Sequence, residues 1–228
     1  MFNLITLWWR QNDMFKNKEN NPLVAAWYFI YLFTIWIVAG FALLTTEQNR
    51  GIYLAINEQH TPFKDAIFPY LTNIGEAWVI IPCLLLLFAF KRFRTGKFAL
   101  AMIACNISPF LITQAIKAFI NAPRPLNYFE MAPWIHRVAG QPVNLNYSFP
   151  SGHSEGSFAF LCFLSLLLPK RYRIFGVFFF FVGLVVLYSR MYLSQHFYRD
   201  VYVGSVIGGL CSLFFFWLIN PLKRKEIQ

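Results

Sequence analysis

Long apolar runs with few charged residues constrain this chain more than any other feature of its sequence. A helix needs about 20 apolar residues to cross the hydrocarbon core of a bilayer. Six runs reach or approach that length, at residues 23–45, 78–90, 98–120, 151–168, 174–192 and 201–219. The second run is short, so it must include residues from 70–77 to cross.

The composition of the chain also indicates a membrane protein. Hydrophobic residues make up 57% of the 228 residues and charged residues only 13%, whereas soluble domains have roughly 25% charged residues. The 27 phenylalanines are more apolar surface than a soluble fold of this length could bury. We therefore predict an all-α fold, a six-transmembrane helix bundle. Residues 23–220 are expected to form one domain, between an N-terminal segment at 1–22 and a basic tail at 221–228.

The N-terminal segment does not have the pattern of a secretory signal. Trp8 and Trp9 stand beside Arg10, a polar stretch follows, and there is no short apolar region with a small-residue cleavage site. A short helix in the membrane interface fits this segment. A frayed end fits it equally well.

The four cysteines predict neither disulfides nor a metal site. Each lies inside an apolar run, and no two have the CxxC spacing of metal ligands: Cys83, Cys105, Cys162 and Cys211. We expect them to pack as small apolar residues. The sequence contains no cluster of ligands that predicts a bound metal.

The basic residues predict how the chain is oriented. Most of the 20 lie in the N-terminal segment, in the loops after the second and fourth runs, and in the C-terminal tail. Positive residues are retained on the cytoplasmic side of a membrane. Both termini are therefore expected in the cytoplasm, and the loops after the first, third and fifth runs on the outer side. Because the basic residues occur in short clusters between apolar runs, the net charge of +10 does not indicate nucleic-acid binding.

The first candidate functional segment is the outer end of the third run. Lys117 closes that run, and Arg124 and Pro125 follow after six residues. Charged side chains are costly inside a bilayer, so they often mark a functional site. Two cations at the end of a span can also simply extend to the interface.

The second candidate segment, residues 148–154, begins the fourth run. Pro150 disfavours helix before it, and Ser151 is a good N-cap. The free N–H groups of a helix start suit an anion, and Gly152 lets a ligand approach the backbone. His153 then stands beside that anion.

The third candidate segment joins the fifth and sixth runs. Arg190 ends the fifth run, and His196 and Asp200 follow with a four-residue separation. A carboxylate beside a histidine can fix its tautomer and increase its nucleophilicity. An ordinary polar loop would have a similar composition.

All three segments are predicted at the outer ends of the spans, although the orientation was derived from charges outside them. Two histidines, three cations, one carboxylate and a helix N-terminus on one face fit phosphoryl transfer through a phosphohistidine without a metal. The segments over residues 117–200 resemble the three motifs of the type 2 phosphatidic acid phosphatase (PAP2) superfamily: Lys, six residues, Arg-Pro; Pro-Ser-Gly-His; and Ser-Arg, five residues, His, three residues, Asp.

The resemblance implies a role for each motif residue. His196 would be the nucleophile, Asp200 would orient it, and His153 would serve as general acid and then as base. The phosphate would be bound by Lys117, Arg124, Ser151, Gly152 and Arg190. No cofactor or metal is implied. The partner would be a lipid phosphate in a bacterial inner membrane, such as undecaprenyl pyrophosphate, a lipid A phosphate or phosphatidylglycerophosphate, with the active site on the periplasmic side.

Three other functions remain open at this point. A vanadium-dependent haloperoxidase shares the anion-site motifs, and a lipid phosphotransferase would use the same scaffold. A transporter is disfavoured because its charges usually lie near the membrane midplane, whereas these lie at span ends. The oligomeric state is not indicated by the sequence.

Two further features have no assigned role in the motifs. Glu155 lies one helical turn after Ser151, where it would bind a neighbouring polar group, a cation, or a sugar or amine of the substrate. The aromatic-rich loop at 126–149 is the candidate for substrate selection, although an interfacial loop without substrate contact explains it nearly as well. His60 and His136 are assigned no function.

Overall fold

In the computed structural model, residues 26–46, 49–219 and 221–222 are described, and all regular structure within them is helical. This confirms the all-α prediction for that part of the chain. Residues 1–22 and most of the predicted basic tail lie outside the described residues. The α-helices of the described residues are α1 (Trp27–Thr45), α2 (Asn49–Asn57), α3 (Pro62–Leu71), α4 (Ala77–Leu87), α5 (Gly96–Phe119), α6 (Pro125–Tyr128), α7 (Gly152–Leu167), α8 (Phe175–Tyr192) and α9 (Tyr198–Ile219).

Among the described residues, four helices are long and apolar enough to cross a membrane: α1, α5, α8 and α9. The second predicted run is broken, because Pro62–Gly75 and Ala77–Leu87 form a pair bent by 51° that could serve as a fifth span. The bend lies at a 3₁₀ turn (Thr72–Gly75), followed by Glu76 in an extended conformation. Helix α7 has only 16 residues. The structure thus supports a multi-pass bundle, while the number six stays a prediction.

Helix α7 lies at the centre of the bundle. It packs against α9, α5 and α8, and twelve of its 16 residues are buried. A helix that is apolar around its whole circumference is stable only when other elements surround it. The surrounding helices therefore shield this short helix, and its first turn is held at a fixed place among them.

Two glycines on α9 allow a close contact with α7. Gly204 and Gly208 are four residues apart, and a Cβ at either position would collide with a backbone carbonyl of α7, that of Ser151 or of Glu155 respectively. Small residues at this spacing let membrane helices approach closely. At the same end, the Ser151 N–H donates to the Asp200 carbonyl at 2.9 Å. The starts of α7 and α9 are thereby fixed to each other.

The outer surface of the bundle is apolar. Large side chains such as Val38, Leu86 and Leu111 are exposed on α1, α4 and α5. A soluble protein rarely exposes so continuous an apolar surface, whereas lipid covers it in a membrane. All four cysteines are free, and Cys83 is exposed rather than packed inside as predicted.

Candidate active site

The three sequence motifs meet at one end of the bundle. Lys117 lies in the last turn of α5, and a Cβ placed on Gly152 at the start of α7 would be 3.9 Å from its Nζ. Arg190 lies in the last turn of α8 and Asp200 in the first turn of α9. Residues more than 80 positions apart in sequence are therefore brought to one site.

The first turn of α7 has the geometry of an anion site. Ser151 is the N-cap, and its Oγ accepts hydrogen bonds from the N–H of Ser154 at 3.4 Å and from the Ser154 hydroxyl at 3.0 Å. This confirms the predicted N-cap. The 3₁₀ turn before α4 packs on the same turn of α7, since a Cβ on Gly75 would meet the His153 carbonyl. The N–H groups at the start of α7 have the orientation that favours bound anions.

His196 lies in the short connection between α8 and α9. The N–H groups of Gln195 and His196 both donate to the Arg190 carbonyl, at 3.0 and 3.3 Å. The side chain of His196 is almost completely buried. Burial holds the pKa of His196 well below its usual value, and the positive charges of Arg124 and Arg190 lower it further. The ring is consequently neutral near pH 7, which is the form that can act as a nucleophile.

The motif alone suggests that Asp200 binds His196 directly, but in the structure it does not. The distance from His196 Nδ1 to Asp200 Oδ2 is 3.8 Å, too long for a hydrogen bond. Ser148 lies between them, with its Oγ 3.4 Å from His196 Nδ1 and donating to Asp200 Oδ2 at 2.5 Å. Asp200 Oδ2 also accepts from the Phe197 N–H at 3.0 Å. The sequence contains Ser148 beside the second motif, but its spacing gives no sign that it bridges two residues of the third.

A second carboxylate holds the other histidine of the site. His153 Nε2 lies 2.7 Å from Glu76 Oε1, and Glu76 stands at the break between the 3₁₀ turn and α4. Glu76 belongs to none of the three sequence motifs and was not predicted as a site residue. The available signal was a carboxylate within the residues that the short second run needs to cross a membrane, where ionisable groups are functional candidates.

The cations of the site lack acidic partners. Arg190 is only 6% exposed, its Nη1 donates to Thr72 Oγ1 at 3.1 Å, and its Nε is buried without a hydrogen-bond partner. Within the described part of the chain, no carboxylate forms an ion pair with Lys117, Arg124 or Arg190. Buried positive charge without a counter-ion is destabilising, so this cluster is suited to bind an anion.

Arg124 is fixed by the connection between α8 and α9. Its Nη1 donates to Gln195 Oε1 and its Nε to the Asn146 carbonyl, both at 2.9 Å. Burial lowers the pKa of Arg124, and the negative charge of Asp200 opposes that shift. Gln195 also donates to the Pro142 carbonyl at 3.0 Å. The loop at 126–149 therefore lies over the α8–α9 connection beside the site, while its predicted role in selection stays a prediction.

The two histidines outside the motifs attach this loop to α3. His136 Nε2 lies 2.8 Å from Asp65 Oδ1, and the His136 ring stacks on His60 with 4.0 Å between ring centroids. The Tyr192 hydroxyl donates to the same Asp65 oxygen. None of these contacts involves a signature residue of the three motifs, so they hold the loop in place rather than form part of the candidate site.

The chain was compared with known protein families and with curated relatives. A family described as the PAP2 superfamily matches residues 94–224, more than half of the chain. An undecaprenyl-diphosphatase from Sulfolobus acidocaldarius is 26% identical over 206 residues, which cover 88% of this chain and 95% of the relative. A lipid A 4′-phosphatase from Porphyromonas gingivalis is 26% identical over 169 residues, covering 71% of this chain and 69% of the relative.

A solved structure has the same fold. It is a transmembrane PAP2-type phosphatidylglycerolphosphate phosphatase from Bacillus subtilis, similar with a TM-score of 0.62 over 90% of this chain and 99% of that chain. The identity is 21%, so the similarity concerns the fold alone. Together with the family match, it confirms the resemblance that the three motifs indicated.

Proposed function

Because this chain belongs to the PAP2 superfamily, we propose that it is an integral membrane enzyme that hydrolyses a lipid phosphate or pyrophosphate through a phosphohistidine. The curated relatives named above are phosphatases of lipid phosphates, which supports the general activity. The residue roles and the covalent intermediate are those that the family resemblance implies, and the geometry of this site supports them.

One observation carries the proposal: a buried histidine lies among cations that form no ion pair with a carboxylate of the described residues. His196 provides a nucleophile, and Arg190 has an unpartnered Nε in the buried site. Lys117 lies next to Gly152 at the N-terminus of α7. A phosphoryl group would supply the missing negative charge and accept hydrogen bonds from these groups and from the helix N-terminus.

In the first step, His196 Nε2 attacks phosphorus, and the bond between phosphorus and the bridging oxygen breaks. A proton on Nδ1 faces Ser148 and Asp200, which leaves the Nε2 lone pair for the attack. The leaving oxygen takes a proton from His153 and departs as the lipid product. Lys117, Arg124, Arg190, Ser151 and Gly152 would stabilise the charge on the transferring group.

In the second step, a water molecule attacks the phosphohistidine. His153 accepts a proton from this water, the bond between phosphorus and His196 breaks, and phosphate leaves. Both histidines then return to their starting protonation states. Glu76, 2.7 Å from His153, would hold this ring in place through both steps.

We further propose that the domain at 23–220 crosses an inner membrane six times, with α7 and the bent pair each crossing once. Both termini would lie in the cytoplasm, because the segments there and the loops after the second and fourth runs are basic. The site would then open to the outer, periplasmic side. Its substrate would be undecaprenyl pyrophosphate, a lipid A phosphate or phosphatidylglycerophosphate.

The test is phosphate release by the purified protein in detergent from these three lipids, with a metal chelator present. We expect release by the wild type and by His60→Ala, a histidine variant outside the site. His196→Ala should lower release by about 10³-fold or more, because the nucleophile is lost. Equal release by His196→Ala would exclude His196 as the nucleophile, and inhibition by the chelator would contradict a metal-independent reaction.

A further inference from the structure

A cavity extends from the candidate active site into the bundle. It has a volume of about 440 Å³ and lies between α4, α5 and the first turn of α7, within the size range of ligand pockets. Gly152 and His153 line its end at the site, and apolar side chains of α4 and α5 line most of the remainder. A lipid whose phosphate occupies the site would place its next chemical groups in this cavity.

The wall of this cavity contains a buried carboxyl group. Glu155 lines the cavity, is only 2% exposed, and has an Oε1 that is buried without a hydrogen-bond partner. A buried polar atom without a partner costs free energy. Because Glu155 lines the cavity next to the candidate active site, a hydrogen-bond donor of a bound ligand would supply the missing partner.

The position of Glu155 relative to the phosphate site follows from helix geometry. Glu155 comes three residues after Gly152 on α7, and Gln114 comes three residues before Lys117 on α5. Lys117 Nζ lies beside Gly152, and residues three apart share a helix face. Both side chains line the cavity. They therefore lie about 5 Å, one helical turn, below the phosphate-binding groups.

The chemistry of these two residues defines what the ligand must carry. A carboxyl group and an amide both accept hydrogen bonds from O–H and N–H groups. An ionised carboxylate would repel a second phosphate. Lys117 and Glu155 form no ion pair in the described part of the chain. A neutral group with hydrogen-bond donors, placed directly after the phosphate, satisfies Glu155.

We propose that Glu155 and Gln114 select lipid phosphates whose phosphate is attached to a hydroxyl- or N–H-bearing head group, such as a sugar or glycerol. A polyprenyl diphosphate places its second phosphate and then hydrocarbon at that position, and because neither has a hydrogen-bond donor, Glu155 Oε1 stays without a partner. The inference rests on the proposed phosphatase function, and it narrows the substrate to the glycosyl or glyceryl class.

Two probes that differ by one hydroxyl test this selection. 1-Acylglycerol 3-phosphate has a free hydroxyl at carbon 2, and its 2-deoxy analogue lacks it. Their affinities are measured with His196→Ala protein, so that the result does not depend on turnover. We expect about tenfold or more tighter binding of the hydroxyl compound, because an unmade buried hydrogen bond is costly.

Three further substitutions, each made in the His196→Ala protein, show which residue causes the difference in affinity. Glu155→Leu should reduce the affinity ratio to about one, and Gln114→Leu, at an exposed position that tolerates change, should reduce it by a few-fold. Asn106→Leu is the matched control. Asn106 also lines the cavity and has a buried unpartnered Oδ1, but it lies about 16 Å along α5 from Lys117 and should leave the ratio unchanged.

The results separate this inference from the proposed function. If the His196→Ala protein binds both compounds equally or binds neither, or if Glu155→Leu and Gln114→Leu keep the wild-type ratio, the selection by these residues is wrong. This holds even when the wild type releases phosphate from lipids. The phosphatase proposal fails only if wild-type protein releases no phosphate in the separate assay.

Discussion

The two sides of α7 differ in how closely their neighbours approach. On the α9 side, Gly204 and Gly208 contact the α7 backbone so closely that a methyl group would not fit. On the α4 and α5 side, a cavity of about 440 Å³ remains. Both sides begin at the same first turn, which carries Gly152 and His153. The tight side thus fixes that turn while the open side gives it access to a ligand.

The difference follows from two requirements that conflict. Phosphoryl transfer needs its groups at fixed distances, since a displacement of about 1 Å can cost about 100-fold in rate. A lipid substrate needs space for a head group and a chain. A central helix that packs tightly on just one of its sides meets both requirements. Each of the substitutions below alters one of the two sides.

The largest effect on activity is expected from adding a side-chain atom between α7 and α9, on the tightly packed side. Gly208→Ala would place a Cβ against the Glu155 carbonyl, which must push α7 and α9 apart. We expect phosphate release to fall by about 100-fold and stability by about 1–3 kcal/mol, measured by activity and thermal unfolding in detergent. The control is Gly51→Ala, because a Cβ on Gly51 meets no atom within 4 Å. Wild-type activity in Gly208→Ala would show that the close contact is not needed.

A smaller loss of activity is expected from removing the Ser148 hydroxyl, which connects the start of α7 to the start of α9. Ser148→Ala removes the group between His196 and Asp200, so the imidazole loses its orientation. The turnover number should fall by about tenfold to a hundredfold, with KM nearly unchanged. Ser157→Ala, another buried serine, which donates to a carbonyl within α7, is the control. An unchanged turnover number in Ser148→Ala would mean that Asp200 orients His196 without this bridge.

On the open side, filling the cavity should affect binding rather than the reaction. Ile80 lines the cavity and is 7% exposed, and Ile80→Trp would occupy part of its volume. KM for a long-chain lipid phosphate should rise by about tenfold, while hydrolysis of a small water-soluble phosphate ester stays unchanged. Leu86→Trp, on the exposed surface of α4 at 66% exposure, serves as control. Equal effects on both substrates would show that the cavity does not hold the lipid.

The smallest effect concerns the pH dependence of the reaction, which the cations near His196 influence. Arg124 lowers the pKa of His196, so Arg124→Gln should raise it. Protonated His196 cannot attack phosphorus, and the acidic limb of kcat/KM should move upward by about half a pH unit. Arg137→Gln, in the loop at 126–149, should not move it. A limb that stays in place or moves to lower pH in Arg124→Gln would contradict this electrostatic role.

Much of the candidate site could be predicted from the sequence because its motifs are local. Pro150, Ser151 and Gly152 favour a helix start, and the structure places Ser151 as N-cap. The cost of charge in a bilayer singles out Lys117 and Arg190 without any knowledge of packing. The family resemblance followed from these same spacings and was confirmed.

Other features of the site depend on contacts between distant parts of the chain. Ser148 and His196 are 48 residues apart, and Glu76 lies before α4 whereas His153 lies in α7. The periodicity of the sequence does not predict such pairs, because each pair depends on which surfaces of distant segments meet. The six-helix estimate had the same weakness, since the bend before α4 arises where the turn packs on α7.

The sequence by itself determined that the chain is helical, membrane-embedded and equipped with the three motifs, because transfer free energy and helix start signals act over a few residues. Only the tertiary structure decided that Ser148 separates His196 from Asp200, that Glu76 holds His153, and that Glu155 faces a cavity without a partner. The physical reason is that a side chain's hydrogen-bond partners are fixed by the approach of the helices, and the glycines of α9 set that approach at the centre of this bundle.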